Sequence, residues 1–478
     1  MKTVRLPNKT EIVLIIILFL AIMYVSLAVF ELPIQLALLA AWVVVGLLGL
    51  RLGHTYDAIQ GSIVKGINQG VEALLVIIFV GALIGGWIAG GVVPTLIYYG
   101  LDILHPSIFL FATLIICALT AIATGTSWGT VGTVGIAMMG IGQSFGVPMP
   151  LVAGAIISGA YFGDKLSPLS DSTVMAASLA KVEIITHVRS MLYISVPALV
   201  ISSVLYLGAG FLFLDKTGEA DIGIVATNMA AIQENFQIGW YMLIPIVLVL
   251  VLLANRFPAI PTIAIGALLG MIWAYLFQGM DLVSATTVLY EGYTIESGTP
   301  FIDTLFNRGG IVSMLGVIVV MILALGFGGL MEQIGILEVM RASFSNWINN
   351  TGRLTVATIV SAFLGNFFGS AGYVSLITGT KVTEKNYDEM GIDRKVLSRN
   401  TESGGILTAP MVPWSDNGIY MATVLGVSTM SYLPFLWLNF VGIGIAIFYG
   451  YTGRFMWKAE DAGEEIEREE EELVYESH

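Results

Sequence analysis

The chain has 478 residues, of which 56% are hydrophobic and only 12% charged, with 21 Lys and Arg against 34 Asp and Glu. Soluble domains carry about twice that share of charge, and a chain of this length would need it to clothe about three of them, so a soluble protein is excluded. Ten of the acids lie between Glu460 and Glu476 with Arg468 as the one base among them, so this tail holds −9 of the formal −13; the remaining −4 leaves a nearly neutral body, and no nucleic-acid partner is indicated.

Residues 1–11 form a short N-terminus bearing Lys2, Arg5 and Lys9. The run from Ile12 to Phe30 is 19 uncharged residues, longer than the apolar core of a signal peptide. No small-residue cleavage site follows, and a second apolar stretch begins at Pro33 and runs to Leu50. The pair therefore reads as membrane anchors. At about 20 apolar residues per crossing, simple spans are expected over 71–99, 188–213, 240–255, 258–278, 310–331 and 432–451. Four regions are irregular. Stretches 108–146 and 354–380 are rich in Gly, Ser and Thr and break at Gly125-Thr126-Ser127 and Gly369-Ser370-Ala371-Gly372. Stretches 149–186 and 402–430 are interrupted by the polar runs Asp164 to Asp171 and Pro410 to Asn417. Polar breaks at membrane depth persist only inside protein or beside a wet cavity. Segment 214–239 reads as an extracellular loop, and 454–478 as a solvated, disordered acidic tail. Cys117 stands alone in an apolar run, so no disulfide forms.

The irregular regions correspond in pairs. Pro168-Leu169-Ser170-Asp171 precedes Pro413-Trp414-Ser415-Asp416 by 245 residues, Gly125-Thr126-Ser127 precedes Gly369-Ser370-Ala371 by 244, and Gly85-Gly86 precedes Gly328-Gly329 by 243. Three ordered matches at near-constant offset indicate a duplicated unit. If each Gly-rich stretch is a hairpin that enters and returns on one side, each unit makes five crossings, an odd number, and the second copy is upside down. Every Lys and Arg except Lys165, Lys216 and Arg308 then falls on one side, as the positive-inside rule requires, which puts both termini in the cytoplasm of a cell-membrane protein. The expected fold is an all-α polytopic membrane protein. It has two inverted repeats of five transmembrane helices, 12–213 and 240–453, each with a re-entrant hairpin (108–146, 354–380) and a broken helix (149–186, 402–430). That arrangement is a signature of secondary transporters.

Interrupted helices aim backbone N–H and C=O groups into the membrane, where they replace an ion's hydration shell. The first broken helix offers Asp164, Ser167, Ser170, Asp171, Ser172 and Thr173; the second offers Glu402, Ser403, Thr408, Ser415, Asp416 and Asn417. Carboxylates inside a membrane cost a few kcal/mol each, so they read as functional. Ser170 and Ser415 are equally placed to cap half-helices. The candidate cation and proton ligands are Asp164, Asp171, Thr173, Ser127, Thr126, Asp416, Asn417, Glu402 and Asn366. Sodium itself is expected at Asp171, Ser170, Thr173 and Ser127. Asn366 serves as well for plain hydrogen bonding between helices. Glu72 and Glu332 read as helix-end residues. His54, His105, His187 and His478 fall near ends or loops, against a His-based metal site. Runs such as Gly86-xxx-Gly90 read as close helix packing. No nucleotide-binding loop, Ser-His-Asp array or CxxC pair is present, and neither catalysis nor a cofactor is expected.

Three longer runs carry a resemblance: Gly91 to Leu101 (GVVPTLIYYGL), Ala123 to Thr133 (ATGTSWGTVGT) and Gly154 to Asp171 (GAIISGAYFGDKLSPLSD). They are similar to the NhaC family of sodium/proton antiporters, most densely over about 64–200, with a return at Leu397-Ser398-Arg399 and Gly426 to Thr429. The resemblance implies inverted repeats with hairpins and broken helices, and exchange of sodium for protons by alternating access. Two departures stand in the second half. The family's Pro-Trp-Asn-Thr-Cys-Gly is Pro413 to Gly418 with Ser415-Asp416-Asn417 here, which adds a carboxylate, and its Glu-Asp-Ser-Gly is Glu402-Ser403-Gly404. Because the family also includes sodium-coupled lactate/malate exchangers, the alternative function is a sodium- or proton-coupled organic-anion antiporter. The expected partners are sodium, protons, a small carboxylate and the lipid bilayer, with a homodimer as the candidate assembly.

Overall fold

Lipid offers the backbone no hydrogen-bond partner, so an apolar run satisfies its own N–H and C=O groups as helix. The computed structural model describes residues 4–214, 218–336, 339 and 347–459, and they are overwhelmingly helical. The acidic tail from Glu460 onward, Lys216 and residues 1–3 lie outside the described residues. Among the described residues, six helices are long and apolar enough to cross a membrane. The all-α polytopic expectation is borne out.

The first half begins with α1 (Lys9–Tyr24), α2 (Ile34–Arg51) and α3 (Tyr56–Gln69), then α4 (Val71–Ala89) and α5 (Val92–Ile103). The run expected as one span over 71–99 is divided at Gly91, whose φ of +74° is open to glycine without strain. Next come α6 (Phe109–Thr124) and α7 (Ser127–Thr130), which passes through a π-helical turn at Val131–Gly135 into α8 (Ile136–Ser144). The first broken helix is α9 (Met149–Leu166) and α10 (Asp171–Ala180), and α11 (Ile184–Leu214) closes the half.

A helix, α12 (Gly218–Asn235), occupies most of segment 214–239, which hydropathy reads as a loop. It is followed by α13 (Ile244–Ala254), α14 (Ala259–Phe277), the short α15 (Leu282–Glu291) and α16 (Pro300–Phe306), and α17 (Ile311–Gln333). The second hairpin is α18 (Thr351–Gly369) and α19 (Gly372–Glu389). The second broken helix is α20 (Arg394–Gly405) and α21 (Asp416–Leu425), and α22 (Trp437–Thr452) is the last helix.

Small residues let these helices approach closely. Where α4 crosses α14, a Cβ at Gly86 would stand 2.8 Å from the Ala267 carbonyl oxygen. On α9, Gly159 and Gly163 face backbone atoms of α6 at Leu114 and Ala118. Beyond α22 the chain returns to the start of α20. Asp393 N donates to the Trp457 carbonyl (2.9 Å) and Ala459 N to the Gly391 carbonyl (3.0 Å). The Trp457 ring lies 4.8 Å from Lys395 Nζ and 5.2 Å from the Arg399 guanidinium carbon, within cation–π range.

Candidate ion-binding site

Four interruptions of helix bring the site together. Gly125 ends α6 in the left-handed region (φ +69°), and Ser370 ends α18 in the same conformation (φ +57°). Each turn touches the break in the broken helix of its own half. A Cβ on Gly125 would stand 2.7 Å from Leu169 Cβ, and Asp416 N donates to the Ser370 carbonyl at 2.8 Å. Between the breaks lies a cavity of about 180 Å³ lined by Thr126, Ser127, Asp164, Asp171, Asp416 and Asn417, with Ser170, Tyr161 and Tyr373 among its further walls.

Asp164, in the last turn of α9, accepts a hydrogen bond from Ser127 Oγ of the first hairpin at 2.7 Å. The Thr126 hydroxyl caps the helix after the break, accepting from Gly129 N at 3.2 Å. Opposite, Asp416 opens α21 and accepts from Gly372 N at 3.3 Å, from Asn417 N at 2.7 Å and from Asn417 Nδ2 at 2.8 Å. The start of α19, with its unsatisfied N–H groups, therefore already faces a carboxylate of the chain itself. The Asn417 carbonyl oxygen accepts from Trp128 Nε1 (2.9 Å) and the Tyr161 hydroxyl (2.6 Å). Asp171, the first residue of α10, is exposed to the cavity, whereas Asp164 and Asp416 are buried.

Other expected ligands are engaged by protein partners, Ser170 at the cavity wall and the rest behind it. The Thr173 hydroxyl reaches the Asp164 carbonyl (3.2 Å) and Glu402 Oε1 (3.3 Å), so it is turned toward α20. Ser170 Oγ pairs with Ser172 Oγ at 3.0 Å. Asn366 Nδ2 donates to the Gly405 carbonyl (2.6 Å) and Thr408 Oγ1 (3.0 Å), bridging α18 to the break after α20. Ser415 accepts from Gly418 N at 2.9 Å and is a helix cap. Glu402 is fully buried and paired with the equally buried His187 of α11, whose other ring nitrogen meets Ser398 Oγ at 2.8 Å. Lys165, 1% exposed, has its Nζ 3.5 Å from Ser403 Oγ.

Hydropathy did not reveal His187, Tyr161, Trp128 or Tyr373 at this place. The signal that leads to His187 is Glu402 itself, since a carboxylate buried at such depth needs a charged or hydrogen-bonding partner. Among the described residues no group of three or more His, Cys, Asp and Glu is placed for a resident metal. The cavity instead offers hydroxyl and carboxylate oxygens, the donors a hard cation takes.

A multi-pass helical protein whose interrupted helices converge on a carboxylate-lined cavity has the architecture of an ion-coupled transporter. The chain belongs to the Na+/H+ antiporter family, whose sequence profile matches residues 1–175 and 159–454. The resemblance read from the three motif runs is borne out. The chain is 57% identical to a malate-2H(+)/Na(+)-lactate antiporter of Bacillus subtilis, over 96% of this chain and 97% of that protein. It is 34% identical to the Na(+)/H(+) antiporter NhaC of Alkalihalophilus pseudofirmus, over 91% and 93%. An arginine/ornithine antiporter, ArcD of Halobacterium salinarum, is 31% identical over 85% and 83%.

Proposed function

We propose that the protein exchanges sodium for protons across the cell membrane by alternating access, with both ions competing for the carboxylates of the central cavity. The observation that carries this reading is Asp164, buried and held by Ser127 from the facing helix break. A sodium ion entering the cavity would meet the oxygens of Asp164, Ser127, Thr126 and Asp171; a proton on Asp164 would cancel the charge that holds the cation. Asp416 and Asn417 supply the matching wall from the second half. In this reading the two halves are inverted repeats, and both termini lie in the cytoplasm. Rocking of one pair of interrupted helices against the rest would open the cavity to either side in turn.

The test is sodium-driven proton movement in liposomes carrying an internal pH dye. Asp164→Asn keeps the size and the hydrogen bond to Ser127 but removes the exchangeable charge, and is expected to abolish exchange. Asp171→Asn is expected to weaken sodium affinity. Wild-type exchange by Asp164→Asn would overturn the assignment.

A second reading is favoured by the gradient of identity, 57% to the malate/lactate exchanger against 34% to NhaC. Here sodium and protons remain the coupling ions, and a small hydroxycarboxylate is also carried. The cavity of about 180 Å³ has room for such a molecule, whose carboxylate would compete with Asp416 for the N–H of Gly372 at the start of α19. Loading the liposomes with lactate and adding malate outside decides between the two. Proton uptake that requires both anions supports the second reading, and uptake indifferent to them supports sodium/proton exchange alone.

A further inference from the structure

The Asn417 side chain has a determined orientation. An indole N–H can only donate, so the Asn417 atom 2.9 Å from Trp128 Nε1 is the amide oxygen, which also takes the Tyr161 hydroxyl at 2.6 Å. The amide NH2 is therefore turned to Asp416, with Nδ2 2.8 Å from Oδ1. Both donors come from the first half and stand next to its carboxylate. Trp128 follows Ser127, the partner of Asp164, and Tyr161 lies one turn before Asp164 on the same face of α9. A third tie joins the same pieces: Tyr420, one turn after Asn417, stacks on Trp128 (centroids 4.1 Å, 13°) and donates its hydroxyl to the Trp128 carbonyl at 2.7 Å.

We propose that Trp128 and Tyr161 are positioning residues that act through the Asn417 amide to aim the Asp416 carboxylate at the cavity and hold it in register with Asp164. This rests on the cavity being the ion site and adds how its two carboxylates are linked. With both donors in place, rotation of the amide would set its oxygen against a carboxylate oxygen and its NH2 against an indole N–H, which repel on both sides. Loss of either donor loosens that choice, and Asp416 loses a fixed donor. Since α21 cannot slide past α7 and α9 without breaking both hydrogen bonds and the stack, the clasp also makes the two carboxylates respond to one ion together.

The experiment measures sodium KM and maximal rate in proteoliposomes for Tyr161→Phe, which removes only the hydroxyl, and for Trp128→Phe, which keeps an aromatic ring but removes the indole N–H together with part of the ring system stacked on Tyr420. Each is made alone and in an Asn417→Ala background, with Asp164→Asn as the reference. Loss of one hydrogen bond to the assembly corresponds to a roughly tenfold rise in sodium KM, with the maximal rate kept within about threefold. In the Asn417→Ala background Tyr161→Phe should add nothing further, and Trp128→Phe only what the thinned stack on Tyr420 costs, because their route to Asp416 is already gone. Unchanged KM in both Phe variants while Asp164→Asn abolishes exchange overturns the clasp and leaves the site standing. Effects that add fully in the Asn417→Ala background also overturn it. Wild-type exchange by Asp164→Asn removes the site reading itself.

Discussion

Two of the buried carboxylates in this protein, Asp164 and Glu402, have different company. Asp164 faces the cavity with a serine as partner, whereas Glu402 is sealed against His187 and Thr173. Removing one member of a buried pair strands the other and costs about 3–5 kcal/mol. His187→Ala is therefore expected to lower thermal stability in detergent sharply, and Glu402→Gln added to it should restore most of the loss. A double variant no better than the single would show that Glu402 draws its support elsewhere. Sequence reasoning reached Asp164, Ser127, Asp416 and Glu402 because carboxylates and hydroxyls inside an apolar chain announce themselves. It missed His187 because the partner lies 215 residues away, and it read a helix-end position where the fold makes a core one. Asn366 was legible only as a polar residue near a break, and its bonds to Gly405 and Thr408 make it a tie between helices.

Hydropathy located the apolar helices and the breaks, since both are departures from or conformity to one simple composition. It failed at α20, whose sequence RKVLSRNTESGG looks like a surface helix although every residue from Lys395 to Gly405 is buried. Such a helix is tolerated because many of its polar groups find partners in protein: Asn400 Nδ2, for example, donates to the Tyr387 hydroxyl at 2.9 Å, although Asn400 Oδ1 and the Arg399 Nε and Nη1 have no hydrogen-bond partner among the described residues. An apolarity window cannot see satisfaction of that kind. The breaks are legible through glycine, and here a backbone test applies. Gly125→Ala puts a Cβ in the left-handed region, costing about 1–2 kcal/mol, and drives it against Leu169. Thermal unfolding should show at least that loss, with the first hairpin turn displaced and sodium affinity reduced. Ser370 already adopts the same conformation with a side chain, so Ser370→Ala should be nearly silent in the same measurements.

For the whole molecule, the paired breaks at near-constant offset predict two halves of opposite orientation. In a Cys117→Ser background, a cysteine at Lys385 should react with an impermeant thiol reagent only from the cytoplasm, and one at Glu296 only from outside. Labelling of both from one side would remove the inverted arrangement. The acidic segment from residue 460 to 478 has no apolar face to bury, so its deletion should leave insertion and maximal transport intact. Loss of folded protein on deletion would mean that the tail packs against the membrane body.

The docking of Trp457 against Lys395 and Arg399 has an optical consequence. An indole beside two cations emits at a wavelength set by their field and by the water that reaches it, and these cations belong to the same helix as Glu402. The difference in emission between the native chain and Trp457→Phe isolates one of nine tryptophans. That single signal, followed while sodium is added, would report whether the surroundings of α20 change, without any attached dye.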